Sequence, residues 1–271
     1  MKQIAWQQIA SIGNIILIFI SFLIVPIPAF SQSFNRDSGS AKKTQPSSSD
    51  LPTLPENGAP TGRREGGASR NGCPTLNQKL TAIVPGTEEL GRGLGSSSKL
   101  ATTISEYPTF WVYLPQLTPE ITLGEFIIQD EVGKDIYRQS INLPQDAGVI
   151  GVKPPSSPEY ALALNQKYHW YFRVFCDSSP TQAEYIYVDS WIQRVSFGST
   201  VDSELKAQKP ANYLDYVDRD LWYDSLTNLA MLRDRNPQNS QYKDDWTSLL
   251  QLLGLENLAP EPILFHYDRE S

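Results

Sequence analysis

The stretch "NQKYHWYFRVFCD", Asn165 to Asp177, decides how this chain folds. Read with the two-residue period of a β-strand, one face carries Tyr168, Trp170, Phe172, Val174 and Cys176. The other carries His169, Tyr171, Arg173, Phe175 and Asp177. The first face is apolar throughout, which predicts a row of side chains buried between two sheets. The second holds large rings where a sheet facing water shows mostly polar residues.

The same alternation recurs on both sides of this stretch. Strand-like runs punctuated by Pro, Gly, Asn or Asp occur at 80–84, 109–114, 124–130, 136–142, 148–152, 167–176 and 185–195. Seven short strands in about 120 residues predict an immunoglobulin- or fibronectin-like β-sandwich over 73–198. In "TFWVYL" Phe110, Val112 and Leu114 take the inner face and leave Trp111 and Tyr113 outside. In "YIYVDSWIQRV" Ile186, Val188 and Ile192 go inside and leave Tyr185, Tyr187 and Trp191 outside. If the three strands are neighbours, Trp111, Tyr113, Tyr171, Tyr187 and Trp191 share one aromatic face too large to stand bare on a monomer. Either C-terminal helices dock on it, or it is a platform on which sugar rings stack, or a protein partner covers it.

From Ser199 the period lengthens. "LWYDSLTNLAMLRDRNP" places Leu221, Trp222, Ser225, Leu226, Leu229 and Leu232 at three- and four-residue spacing, and Pro237 stops the run. "QYKDDWTSLLQLLGL" repeats the pattern with Trp246, Leu249, Leu250 and Leu253, and Gly254 suits a C-cap. The pair predicts a helical hairpin within 199–258, packed on one sheet because short helices are not stable alone. The fold class expected is mainly β with α, followed by a Pro-interrupted tail at 259–271.

The N-terminus has a different texture. Lys2 precedes the apolar run "NIILIFISFLIVPIPAF", and Ala29 and Ser31 fit a cleavage site after Ser31. Residues 1–31 therefore read as a signal peptide, and the product as periplasmic or extracellular. Residues 32–72 are rich in Ser, Pro and Gly without apolar periodicity, and read as a disordered linker. Loss of Lys2 with the signal changes 23 Lys+Arg against 30 Asp+Glu to 22 against 30, a net charge of −8. Phosphate neutralisation needs clustered Lys and Arg, so nucleic acid is not an expected partner. Membrane contact is expected only through the signal segment. An envelope protein or a glycan remains as partner; the oligomeric state is open.

The two cysteines, Cys73 and Cys176, read in an oxidising compartment as one disulfide; two inert thiols, or a reactive one, are the alternatives. The disulfide closes a loop of about 100 residues, worth ~4–5 kcal/mol on chain entropy.

Motifs for chemistry are sparse. The two histidines are His169 and His266, and no G-x-S-x-G accompanies them. No zinc or EF-hand spacing and no cofactor motif is present, and "QDEVGKD" (129–135) reads as a hairpin turn rather than a weak Ca²⁺ loop. No catalytic residue is assigned. A carboxylate pair for glycoside chemistry would draw on Asp177 and Asp189 of the outer face. The expected function is a secreted, non-enzymatic binding or scaffolding module of the cell envelope. A carbohydrate-binding module using the aromatic face is the first alternative, and a glycan-active enzyme the second.

"LALNQKYHWYFRVFC" (162–176) resembles strand F of a fibronectin type III domain. In addition, "APTGRREGGASRNGCP" (59–74), "LTAIVP" (80–85), "PTFWVYLP" (108–115), "EFIIQDE" (125–131), "YHWYFRVFCD" (168–177) and "LWYDSLTNLAMLR" (221–233) occur in order. Together they resemble the cyanobacterial secreted domain-of-unknown-function family 928 over about 59–258. That resemblance implies a signal peptide and a single domain with a helical C-terminal part, and no established activity.

Overall fold

Rings and branched side chains alternate with polar ones along most of the chain, and the backbone follows that pattern. The computed structural model describes residues 60–66, 73–87, 97–176, 184–207 and 213–268. The expected signal segment, most of the expected linker and Asp177 lie outside the described residues.

The first strands are β1 (Thr61–Arg63), β2 (Glu65–Gly66), β3 (Leu80–Ala82), β4 (Gly86–Thr87), β5 (Ser97–Lys99) and β6 (Ala101–Thr103). Then come β7 (Phe110–Leu114), β8 (Leu123–Gln129), β9 (Asp135–Asn142), β10 (Gly148–Lys153), β11 (Lys167–Phe175) and β12 (Tyr185–Arg194). Helices α1 (Ser199–Ala207), α2 (Tyr213–Val217), α3 (Trp222–Arg235) and α4 (Ser240–Leu252) follow, and β13 (Ile263–Asp268) closes the order. Among the described residues the fold is mainly β with α. All seven strand-like runs of the sequence are strands.

One five-stranded sheet has the order β13-β10-β7-β3-β2, and the other β6-β12-β11-β8-β9. A three-stranded sheet has the order β1-β5-β4. β13 runs parallel to β10, and β6 parallel to β12; the other pairs are antiparallel. The inner rings of the two larger sheets touch. Phe110 of β7 lies 4.9 Å from Phe126 of β8 and 5.4 Å from Trp170 of β11. Burying side chains of this size contributes about 1.5–3 kcal/mol each. Cys73 and Cys176 form a disulfide with their Cα atoms 5.0 Å apart, within the range such a bridge accepts.

Three expectations are corrected. β7 belongs to a different sheet from β11 and β12, so the five rings predicted to share a face do not. Alternation fixes which way a side chain points but not which sheet its strand joins. Residues 60–66, expected as linker, form β1 and β2, and Ile263–Asp268, expected as tail, is β13. Each pairs through its backbone, an interaction that composition does not display. Among the described residues the helical region holds α1 and α2 as well as the expected pair α3 and α4.

Helix ends follow their chemistry. Asp224 stands in the first turn of α3 and Arg233 and Arg235 in the last, the arrangement the helix dipole favours. The Asn239 side chain accepts from Gln241 N at 2.9 Å to cap α4, and Gly254 leaves it at φ +66°. α3 bonds to both larger sheets. Its Thr227 Oγ1 accepts from Trp111 Nε1 at 3.0 Å, and its Tyr223 hydroxyl accepts from Trp170 Nε1 at 2.7 Å. The buried Arg64, between β1 and β2, donates from Nη2 to the Leu253 carbonyl after α4.

Candidate binding face

Antiparallel pairing of β11 with β12 sets outward residues opposite each other: His169 with Trp191, Tyr171 with Asp189, Arg173 with Tyr187, and Phe175 with Tyr185. Such cross-strand neighbours interact directly. Here they build a continuous ladder. The Trp191 and His169 rings stack with centroids 4.4 Å apart and planes at 17°. His169 and Tyr171 follow at 4.2 Å. The Arg173 guanidinium stands 5.7 Å over Tyr171 and 4.9 Å over Tyr185. Tyr185 lies 5.9 Å from Tyr187, and Arg63 of β1 stands 4.6 Å over Tyr187. Rings and guanidinium planes thus form one row across β11, β12 and β1, each contact favourable by dispersion and by the ring quadrupole.

Hydrogen bonds hold the ladder from its middle. Asp189, 6% exposed, lies 2.6 Å from His169 Nε2, and the Tyr171 hydroxyl lies 2.8 Å from Nδ1. An ionised carboxylate only accepts, so Nε2 donates to Asp189; in the neutral ring Nδ1 then accepts from Tyr171. Burial, and next the negative charge of Asp189, push the Tyr171 phenol above its ordinary value, which keeps it a donor. The second Asp189 oxygen accepts from Arg63 N at 3.0 Å, and the Asp189 carbonyl accepts from Ser98 Oγ at 2.9 Å. β1 reaches this position because residue 62 is glycine: a Cβ there would lie 2.5 Å from the Asp189 carboxylate and carbonyl. On the β8–β9 side, Glu125 meets Arg173 at 3.4 Å and Arg138 at 2.7 Å.

The structure separates the residues singled out in the sequence into two groups. Tyr171, Tyr187 and Trp191 lie on the ladder, part-exposed, beside Tyr185 at 41% exposure. Trp111 and Tyr113, on the other larger sheet, are 0% exposed. Burial and the nearby Glu261 charge push the Tyr113 phenol up to about 12. Arg63, Arg173, Asp189 and His169 complete the ladder; alternation placed the last three on the outer face without giving them a part in it, and sequence reasoning did not place Arg63 there. The signal was present for three of these four. The i, i+2 rows H-x-Y-x-R-x-F and Y-x-Y-x-D-x-W interleave once the hairpin is registered. Nothing local marks Arg63, which reaches the face only through β1.

The face can stack on a ligand and hydrogen-bond at its edges. Both His169 nitrogens are engaged, and Asp189 is committed to His169 and β1. Among the described residues no group of three His, Cys, Asp or Glu is placed to hold a metal ion. Apart from the ladder, a cavity of about 360 Å³ lies beside α3, lined by Tyr107, Thr109, Lys153, Asp224 and Asn228 among others.

No curated protein matches the chain. A family model described as Domain of Unknown Function (DUF928) matches residues 65–263.

Proposed function

The chain belongs to that family, DUF928, and from the geometry we propose that it is a secreted, non-enzymatic binding module of the cell envelope whose ladder face takes a glycan. The carrying observation is the part-exposed row Trp191–His169–Tyr171–Arg173–Tyr185–Tyr187–Arg63, already locked by its own contacts. A ligand stacking on it pays little to order the side chains. Aromatic rings offer faces to pyranose rings, while the guanidinium edges and tyrosine hydroxyls supply hydrogen bonds. Export rests on the Lys2-to-Ser31 pattern and is supported by the Cys73–Cys176 disulfide.

The finer architecture proposed is an immunoglobulin- or fibronectin-like sandwich with the α3–α4 hairpin layered on the β7 sheet. The contacts Phe110–Phe126, Phe110–Trp170 and Trp111–Thr227 support it. In this arrangement the helices cover Trp111 and Tyr113 and leave the ladder on the opposite face.

The test is intrinsic fluorescence during titration with a panel of soluble glycans. Trp111, Trp170, Trp222 and Trp246 are at most 4% exposed, which leaves Trp191 as the responsive indole of the described fold. A saturable change that disappears in Trp191→Phe is expected from the glycan that binds. Silence across the panel, or an unaltered change in Trp191→Phe, overturns the reading.

A further inference from the structure

A groove where α3 ends and α4 begins holds a cation that forms no ion pair among the described residues. The Arg233 guanidinium stands 5.0 Å over the Trp246 ring. Its Nη1 is buried and has no hydrogen-bond partner among the described residues. Arg138, Arg173 and Arg194 each meet a glutamate, at 2.7, 3.4 and 2.8 Å. No comparable ion pair involves Arg233 or Lys243 among the described residues. Burial alone moves Arg233 below its ordinary value, and no acid offsets it. A desolvated N–H without an acceptor is costly, and a charged one more so. Contact with the indole uses the face of the guanidinium and leaves its donors for another group.

The groove has a volume of about 310 Å³ and is lined by Arg233, Asp234, Asn236, Asn239, Lys243 and Ile263, among others. Two cations and one carboxylate leave a single net positive charge. We propose that this groove binds the carboxylate of an acidic ligand, with Arg233 as a forked donor and Lys243 as the second cation. A carboxylate matches the guanidinium fork with two parallel N–H···O bonds. The site stands apart from the ladder and does not depend on it.

Two sources carry such a group: a uronate of a glycan and the C-terminus of a peptide. The test is a ¹H–¹⁵N NMR titration of the purified full chain with sodium glucuronate and, separately, sodium N-acetylalaninate. Glucose and sodium chloride at matched ionic strength are the controls. Saturable shifts of Arg233 Nε–H and Trp246 Nε1–H with either acid, absent in both controls, support the proposal, and the tighter acid identifies the source. Arg233→Gln should abolish saturation. Lys243→Gln, at an exposed position, should weaken it about two- to fivefold, the range expected of one exposed charge. Equal shifts with chloride, or saturation that survives Arg233→Gln, overturn the proposal. If Arg233→Gln does not fold, Lys243→Gln decides, and undiminished affinity there overturns it.

Discussion

At the scale of single residues, Asp189 does more than any other group on the ladder face. One oxygen orients His169 and the other accepts from the β1 backbone. Asp189→Ala leaves both donors without their acceptor, and hydrogen bonds to a charged group are worth about 1.5–3 kcal/mol. We expect the variant to lose about 2–3 kcal/mol in urea denaturation and to lose the Nε2–H tautomer signature of His169 in ¹⁵N spectra. A loss under 0.5 kcal/mol with the tautomer retained would refute the role assigned to Asp189. At this scale the sequence was largely readable. Alternation placed Tyr171, Tyr187 and Trp191 on outward faces, and the even cysteine count paired Cys73 with Cys176. The engagement of His169 by Asp189 was not readable, because it depends on the cross-strand register and not on either strand alone.

At the scale of elements, β3, the strands from β7 to β12 and the helices α3 and α4 announced themselves by period, while β1, β2 and β13 did not. Short edge segments need no apolar stripe, because backbone pairing and one or two tight contacts suffice. Arg64 illustrates this: a buried arginine in a Gly-Arg stretch looks like a solvated linker until its partner at Leu253 is known. Sheet membership was also hidden, and for that reason Trp111 and Tyr113 were grouped with a face that they do not share. At Gly62, β1 packs directly against Asp189 of β12. Gly62→Val forces side-chain atoms onto Asp189, and we expect β1 to detach, with loss of amide hydrogen-exchange protection at Arg63 and a change in the Tyr187 environment. Protection unchanged at Arg63 would contradict the packing described. In α4, Asn239→Ala should cost about 1 kcal/mol of stability, the usual worth of an N-cap, measured by chemical denaturation.

At the scale of the whole molecule, two features set stability. The disulfide closes a loop between residues 103 apart in sequence, and its reduction should remove about 4–5 kcal/mol, or roughly 10 °C of Tm. Calorimetry with and without reductant checks this, and an unchanged Tm contradicts it. Burial raises the phenols of Tyr113, Tyr213, Tyr216 and Tyr223 above the model-compound value of 10.0, with Tyr113 at about 12. The folded chain therefore holds these protons more tightly than the unfolded chain does. The stabilisation is complete below pH 10.0 and drains away as pH rises through about 12 for Tyr113, and higher for the other three. Denaturant midpoints should fall steadily from pH 10 upward, and tyrosinate absorbance should rise together with the loss of secondary structure. A midpoint flat to pH 12 would contradict the burial of these rings.

The central claim is that the outer face of β11 and β12 is a pre-formed, accessible ladder. Its most direct test follows the indole Nε1–H resonances in ¹H–¹⁵N spectra during titration with the glycan panel. The account predicts that a binding glycan shifts the Trp191 resonance saturably while those of Trp111, Trp170 and Trp222, which lie in the buried core, stay in place. A panel that leaves Trp191 unmoved, or moves all four indoles alike, contradicts it.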